Sequence, residues 1–301
     1  MTYLETYTSS LNNSSLSDSI TTTAKSVVSN IESRFDFTEP LTGLLLGNVQ
    51  SGKTGQMLGV ISHLADKGYR IFLLLTTDNI DLQRQTYNRV KSALTSFTVL
   101  SESDVVLFNP HNLIKPIVIV LKKNASVLRK WGNLLMTYQL NTGLCLTIFD
   151  DEADAASLNT LVNRNRTSTI NKHLQKIKDT ASSSLYLEVT ATPQSIILQT
   201  VMSGWKPAFI NYFKPGKDYL GGNFFYSNPT SYCIRFTSEN ELDEISEDGD
   251  ILCPEGLRKG IVSFLVVCAY KKIKGETNCN FMIHPSVRIS IHKKFVECVQ
   301  E

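Results

Sequence analysis

Eight residues constrain this chain more than any others. Gly47-Asn48-Val49-Gln50-Ser51-Gly52-Lys53-Thr54 fits the pattern G-x-x-x-x-G-K-[ST]. Glycines let successive backbone N–H groups turn inward, and the concave nest that results suits a polyphosphate. On this reading Gly47, Asn48, Gln50, Ser51 and Gly52 line the nest, Lys53 reaches the outer phosphates, and the Thr54 hydroxyl sits on Mg²⁺. The pattern also demands a strand before it and a helix after it. Leu41-Thr42-Gly43-Leu44-Leu45-Leu46 is an apolar run suited to a strand buried on both faces. Met57, Leu58, Val60, Ile61, Leu64 and Ala65 recur at helical spacing until Gly68, which suits a helix stop.

The alternation continues downstream. Strands are expected at residues 70–76, 105–108, 117–121, 144–149 and 185–189, with helices near 82–86, 125–138 and 170–180. A helix over 18–35 precedes the first strand, carried by Ile20, Ala24, Val27, Val28 and Ile31. Residues 9–17, rich in Ser and Asn, read as a mobile leader. Strands alternating with helices over about 150 residues imply an α/β fold, a mostly parallel sheet with helices on both faces. Ligands of such sheets sit at the carboxyl ends of the strands.

After residue 203 the character changes. Residues 204–231 are aromatic and Gly/Pro-rich, and 239–250 are acidic and read as a linker. Residues 256–274 read as an apolar helix, Phe281-Met282-Ile283-His284 as the first strand of a new unit, and a final helix runs to Glu301. Four segments follow: 1–37, leader and helix; 38–203, the nucleotide-binding lobe; 204–255, aromatic extension and linker; 256–301, the start of a second lobe.

Composition excludes several classes. The formal net charge is +2 over 301 residues, so no bulk electrostatic case for nucleic acid exists. No apolar run is long enough to span a membrane, and the N-terminus lacks the basic-then-apolar order of a signal peptide. The six cysteines, at 145, 233, 253, 268, 279 and 298, show no C-x-x-C, which argues for reduced thiols in a cytoplasmic protein.

The chemistry gathers in two further segments. Hydrolysis of a nucleoside triphosphate needs a carboxylate for Mg²⁺ and a group that positions the attacking water. Asp150-Asp151-Glu152-Ala153-Asp154 follows an apolar strand, and Asp151 is assigned to the Mg²⁺ side with Glu152 activating water. Lys53, Asp151 and Glu152 are thus the catalytic candidates, with ATP and Mg²⁺ as cofactors. Thr190-Ala191-Thr192-Pro193 ends another strand, and the hydroxyls of Thr190 and Thr192 are placed to bond Asp154 and report the nucleotide state to a neighbouring unit.

These three segments, in this order, resemble motifs I, II and III of superfamily-two helicases. More narrowly, they resemble the Z-one domain family, together with Asn159-Thr160, Tyr219-Leu220-Gly221-Gly222, the Ser263-Phe264-Leu265…Cys268-Ala269 helix and Met282-Ile283-His284. The resemblance runs from about residue 38 to 290. It implies endonuclease-associated proteins of bacterial restriction-like and anti-phage systems, acting on DNA, with two RecA-like lobes that clamp nucleotide between them. One whole lobe and the beginning of a second are expected here. The late motifs that supply an arginine finger and the rest of the nucleic-acid track are absent, so ATP binding with weak turnover is expected. Asn79, Gln83 and Arg84 fall where the family's first nucleic-acid motif would lie. No spaced Asp…Glu-x-Lys set distinct from the nucleotide site is present, so a nuclease centre would lie elsewhere or on a partner. Two other readings stay open. One is a nucleotide-gated interaction module that binds ATP and a partner without appreciable hydrolysis; the other, less well supported, is a P-loop kinase.

Overall fold

Side chains that alternate along each strand divide the core of this chain into two faces. In a computed structural model, residues 1–111, 113–138, 140, 144–154, 157, 168–197, 206–216, 219–227, 234–237, 241, 253–276, 278–286 and 288–300 are described. They form two compact units, Met1–Gly221 and Gly222–Glu301.

The first unit opens with helices α1 (Tyr3–Ser9) and α2 (Ser14–Glu32). Strand β1 (Leu41–Leu46) leads into α3 (Lys53–Asp66), then β2 (Ile71–Thr76), α4 (Ile80–Ala93) and β3 (Thr98–Ser101). Next come β4 (Ile117–Lys122), α5 (Ala125–Thr137), β5 (Cys145–Asp151), α6 (Thr169–Lys178), β6 (Ser183–Thr190) and β7 (Phe209–Tyr212). All seven strands pair in parallel, in the order β3-β4-β2-β5-β6-β1-β7. This is the α/β architecture expected from the sequence, RecA-like in having helices on both faces of a parallel sheet.

Phe72, Leu74, Val118, Val120, Phe149, Leu187 and Val189 point to the face covered by α1 to α4. Leu73, Ile119, Leu121, Ile148 and Tyr186, one residue out of phase, point to the face covered by α5 and α6. Near-continuous burial of β2, β4 and β6 follows, because both faces are covered.

Three local expectations are corrected. The Ser/Asn-rich N-terminus is no mobile leader; its polar residues cap helices. Thr2 and Glu5 form a capping box on α1, and Asn13 accepts from the Leu16 N–H at the start of α2. The Asp66 carboxylate accepts from the N–H of Tyr3 at 2.6 Å, and Leu4 and Tyr7 are buried. Residues 105–108 are not a strand. The Asp104 carboxylate accepts from the Ser101 N–H and hydroxyl at 2.8 and 2.7 Å, turning the chain out of β3 into a 3₁₀ turn at Val105–Leu107. Edge strand β7, beside β1, comes from the stretch read as an aromatic extension.

The second unit contains α7 (Gly222–Tyr226), α8 (Glu255–Ile273) and α9 (Ile289–Gln300). Phe281-Met282-Ile283-His284 is not a strand, and no strand occurs among this unit's described residues. The Phe281 ring instead stacks on Phe264 of α8 at 5.0 Å, using its apolar surface against a helix. Asn159-Thr160, Cys233 and the acidic stretch 239–250, apart from Glu241, lie outside the described residues. Among described residues no helix is long and apolar enough to cross a membrane.

Candidate functional site

The nucleotide-binding candidates converge because β6 lies between β1 and β5. The loop after β1, the acidic segment after β5 and the Thr-rich segment after β6 therefore meet at the carboxyl ends of three adjacent strands.

The loop is held from both sides. Gly47 N–H donates to the Thr190 carbonyl at 3.2 Å, tying the loop to the end of β6. A Cβ on Gly47 would lie 2.0 Å from the Phe213 ring, so only glycine fits there. Gln50 (φ 55°) and Gly52 (φ 87°) adopt the left-handed conformation that turns N–H groups toward a common centre. Helix α3 begins at Lys53, and Gly52 at its N-cap offers no side-chain acceptor. The first-turn amides thus receive no side-chain cap and could serve an anionic ligand. The Ser51 hydroxyl and the Lys53 ammonium both donate to the Asn48 carbonyl, at 2.6 and 3.4 Å. Thr54, in the first turn, is partly buried.

Two tyrosines that pattern reading did not assign to the site brace the loop's outer side. Tyr212 donates to the Asn48 Oδ1 at 3.1 Å and Tyr219 to the Val49 carbonyl at 2.5 Å. Tyr219 belongs to the Tyr-Leu-Gly-Gly segment noted in the sequence; nothing local could have foretold Tyr212, which reaches the loop through β7.

Strand alternation sorts the acidic segment. Asp151 shares the phase of Phe149 and lies on the α3 face; Asp150 shares the phase of Ile148 and lies on the other. Burial, then the Glu152 carboxylate, push Asp151 up to about 6, against the opposing charges of Lys53 and Lys123. Its carboxylate accepts no hydrogen bond from a described residue. Glu152 is exposed and held at φ 54°, a conformation non-glycine residues rarely adopt.

The Thr54 hydroxyl and the Asp151 carboxylate, unengaged by described residues, could serve a cation that keeps most of its ligands as phosphate oxygens and water, the habit of Mg²⁺. Among the described residues no cluster of three or more His, Cys, Asp or Glu could cage a metal by itself. Thr54 and Asp151 are the residues that would hold it.

Asp154 is gripped by the next segment. Thr190 donates to its Oδ1 at 2.6 Å and Thr192 to its Oδ2 at 2.5 Å. Burial pushes this carboxyl up, but the two hydroxyls outweigh it and hold it below the usual range. The Thr192 N–H in turn donates to the Thr190 hydroxyl at 2.9 Å, so the three residues form one closed unit.

Beneath the site lies a buried polar cluster that joins Asp150 of the acidic segment to Lys123, Tyr186, Lys178 and Glu188, none of which the sequence reading assigned to a site. Lys123 pairs with Asp150 at 3.0 Å with both side chains fully buried, and Tyr186 donates to the other Asp150 oxygen. The Lys178 ammonium sits 3.6 Å from the centre of the Tyr186 ring. Burial lowers Lys178 to about 7 and raises Glu188 to about 7, the second shift reinforced by Asp150.

The nucleic-acid candidates fare differently. Gln83 is turned inward: it is 8% exposed and its Nε2 donates to the Val120 carbonyl at 3.2 Å, so it joins α4 to β4 and offers no surface contact. Asn79 is exposed, but its Oδ1 caps α4 by accepting from the N–H groups of Asp81 and Leu82. Arg84 is exposed and paired with Asp81 at 2.9 Å.

No family model matches this sequence, and no curated protein does. Among solved structures it is similar to the genome packaging NTPase B204 of Sulfolobus turreted icosahedral virus 2, in complex with ATP-gammaS. The identity is 16% over 50% of this chain and 64% of that one, with a TM-score of 0.32. It is also similar to the Aeropyrum pernix ORC2 protein in its ADPNP-ADP complexes, at 12% identity over 91% and 66%, TM-score 0.36. A third is the DUF1998 helicase MrfA bound to DNA, at 13% over 68% and 30%, TM-score 0.39. The chain spans less than two thirds of each of these proteins. Likeness this loose assigns no activity, which has to be argued from the residues.

Proposed function

We propose that the lobe bounded by residues 38 and 203 binds ATP with Mg²⁺ and hydrolyses it, as a helicase-like P-loop NTPase that acts on DNA in a restriction or anti-phage system. The observation that carries the ATPase reading is the convergence of three segments at adjacent strand ends: the uncapped Gly-rich turn, the free Asp151 carboxylate on its face, and Asp154 closed onto Thr190 and Thr192. Mg²⁺ held by Thr54 and Asp151 would neutralise phosphate charge. The loop amides and Lys53 bind the phosphates, with Lys53 leaving the Asn48 carbonyl to do so. Glu152, exposed beside Asp151, orients a water and takes its proton as the water oxygen attacks the terminal phosphorus and the bond to the ADP oxygen breaks.

The DNA and defence part of the reading is supported by the motif order and by the resemblance to the Z-one domain family. A second lobe or a nuclease would then be the partner. Of the three side chains suggested for nucleic acid, Asn79 and Arg84 are exposed, with the Asn79 Oδ1 engaged as a helix cap and Arg84 paired with Asp81.

The test is nucleotide binding and steady-state hydrolysis with and without DNA. Lys53→Ala should abolish binding, whereas Glu152→Gln should keep binding and lose turnover. Tight binding with no turnover in the unaltered protein would make this a nucleotide-gated interaction module instead. Hydrolysis indifferent to every DNA and RNA offered would remove the nucleic-acid part.

A further inference from the structure

A lysine buried completely is costly unless its charge is paired and its protons are all accepted. Lys123 meets both conditions in an uncommon way. It follows β4, where alternation sends Lys122 outward to Glu102, at 3.4 Å, and Lys123 inward. Its three ammonium protons have three acceptors: Asp150 Oδ1 at 3.0 Å, the Asp151 carbonyl at 2.8 Å and the Glu152 carbonyl at 2.8 Å.

Strands β4 and β5 are not neighbours; β2 runs between them. Lys123 therefore bridges the carboxyl end of β2, to which its own N–H is tied through the Thr76 carbonyl at 2.8 Å. Charge pairing would need only Asp150. The other two bonds go to carbonyls of the residues proposed to hold Mg²⁺ and water, and one of those residues, Glu152, sits at φ 54°. Such a backbone costs about 1–3 kcal/mol and persists only where its surroundings hold it.

We propose that Lys123 is a positioning residue for hydrolysis: its ammonium grips the Asp151 and Glu152 carbonyls, keeping Asp151 on the α3 face and Glu152 turned out of the strand. This rests on the ATPase reading above. With its three ammonium protons taken by Asp150 and the two carbonyls, Lys123 would act through the backbone of Asp151 and Glu152 and not on the reactants.

Lys123→Met alone would strand Asp150 without its cation and endanger folding, so the informative variant is Lys123→Met with Asp150→Asn, compared with Asp150→Asn alone. Three quantities are measured on the full chain: affinity for a fluorescent ATP analogue, kcat and KM for ATP, and amide hydrogen exchange of the peptide covering residues 145–154. Asp150→Asn, which keeps both carbonyl bonds, should hold kcat within about threefold. The double variant should bind the analogue as the unaltered protein does, keep KM, lose roughly 100-fold in kcat, the scale of a 1 Å misplacement, and exchange that peptide faster. A folded double variant with unaltered kcat and exchange overturns the proposal. If the unaltered protein neither binds nor hydrolyses ATP, the ATPase reading fails. Exchange then decides separately: faster exchange in the double variant supports the clamp, and unchanged exchange overturns it.

Discussion

Asp150 and Asp151 are neighbours in sequence and face opposite sides of the sheet. Asp150 is fully buried in an ion pair with Lys123, while Asp151 lies on the face of α3, within the field of Lys53. One carboxylate is paired with a buried lysine; the other, in the proposed site, would be left for a cation. Two adjacent and chemically identical residues thereby acquire separate roles, and different consequences follow from changing each.

Asp151→Asn should stabilise the metal-free protein while abolishing Mg²⁺-dependent nucleotide binding or turnover. The folded pKa, about 6, lies above the usual carboxylate value. A carboxyl raised in this way contributes stability that is whole below its unfolded pKa and is lost as pH rises through about 6. At pH 7.5 the variant should therefore gain up to about 3 kcal/mol in urea unfolding, and at pH 4 almost nothing. For the unaltered protein, Mg²⁺-nucleotide affinity should fall as pH drops through 6, with the midpoint moving lower as Mg²⁺ is raised, because proton and metal compete for one carboxylate.

Gly47→Ala should damage the loop through overpacking. The added methyl would lie 2.0 Å from the Phe213 ring, in a buried place. A cost of about 1–3 kcal/mol is expected, with weakened nucleotide binding. Phe213→Leu in the same chain should recover part of the loss in a double-mutant cycle; strict additivity would mean that the ring is not what excludes the methyl.

Lys178→Met should destabilise the lobe in a pH-dependent way. Glu188 is already pushed up to about 7 by burial and Asp150, and Lys178 is the cation that opposes the shift. Without it the carboxyl rises further. Since a raised carboxyl pKa lends stability that is lost as pH climbs through the folded value, the deficit should be small at pH 5 and grow toward pH 7, above which Lys178, itself lowered to about 7, loses the charge that opposes the shift. Thermal unfolding across that range checks it, and adding Glu188→Leu should erase most of the pH dependence.

Thr192→Val and Asp154→Asn should prove coupled. Thr192 donates to Asp154 at 2.5 Å, and its own N–H is held by Thr190. A double-mutant cycle on chemical unfolding should give an interaction of about 1–2 kcal/mol, whereas Thr192 paired with a distant site such as Asp66 should give none.

Much of the lobe was legible because its signals are local. Apolar runs marked β1, β2, β4, β5 and β6, and the spacing of Met57, Leu58, Ile61 and Leu64 marked α3. The misreadings share a cause. Ser and Asn near the N-terminus have the composition of a mobile segment, yet Thr2 and Asn13 act as helix caps once α1 and α2 have a surface to bury against. Gln83 sits on a helix of low apolar content and so reads as exposed. Its burial is set by the nearness of the β4 backbone, a long-range contact.

The sequence by itself determined the candidate phosphate loop, because the requirement for glycine and lysine at fixed spacing is satisfied within eight residues. It also determined which acidic segment belongs with that loop, since a carboxylate at the end of an apolar strand is an unusual local pattern. The tertiary structure alone decided which of two adjacent aspartates faces the loop, for that depends on the phase of β5 in a covered sheet. It alone brought Tyr212 and Tyr219 to the loop's outer side and Lys123 across β2 to the acidic backbone. Those placements come from strand order, and strand order is a property of pairings between segments far apart in the chain, which no short pattern records.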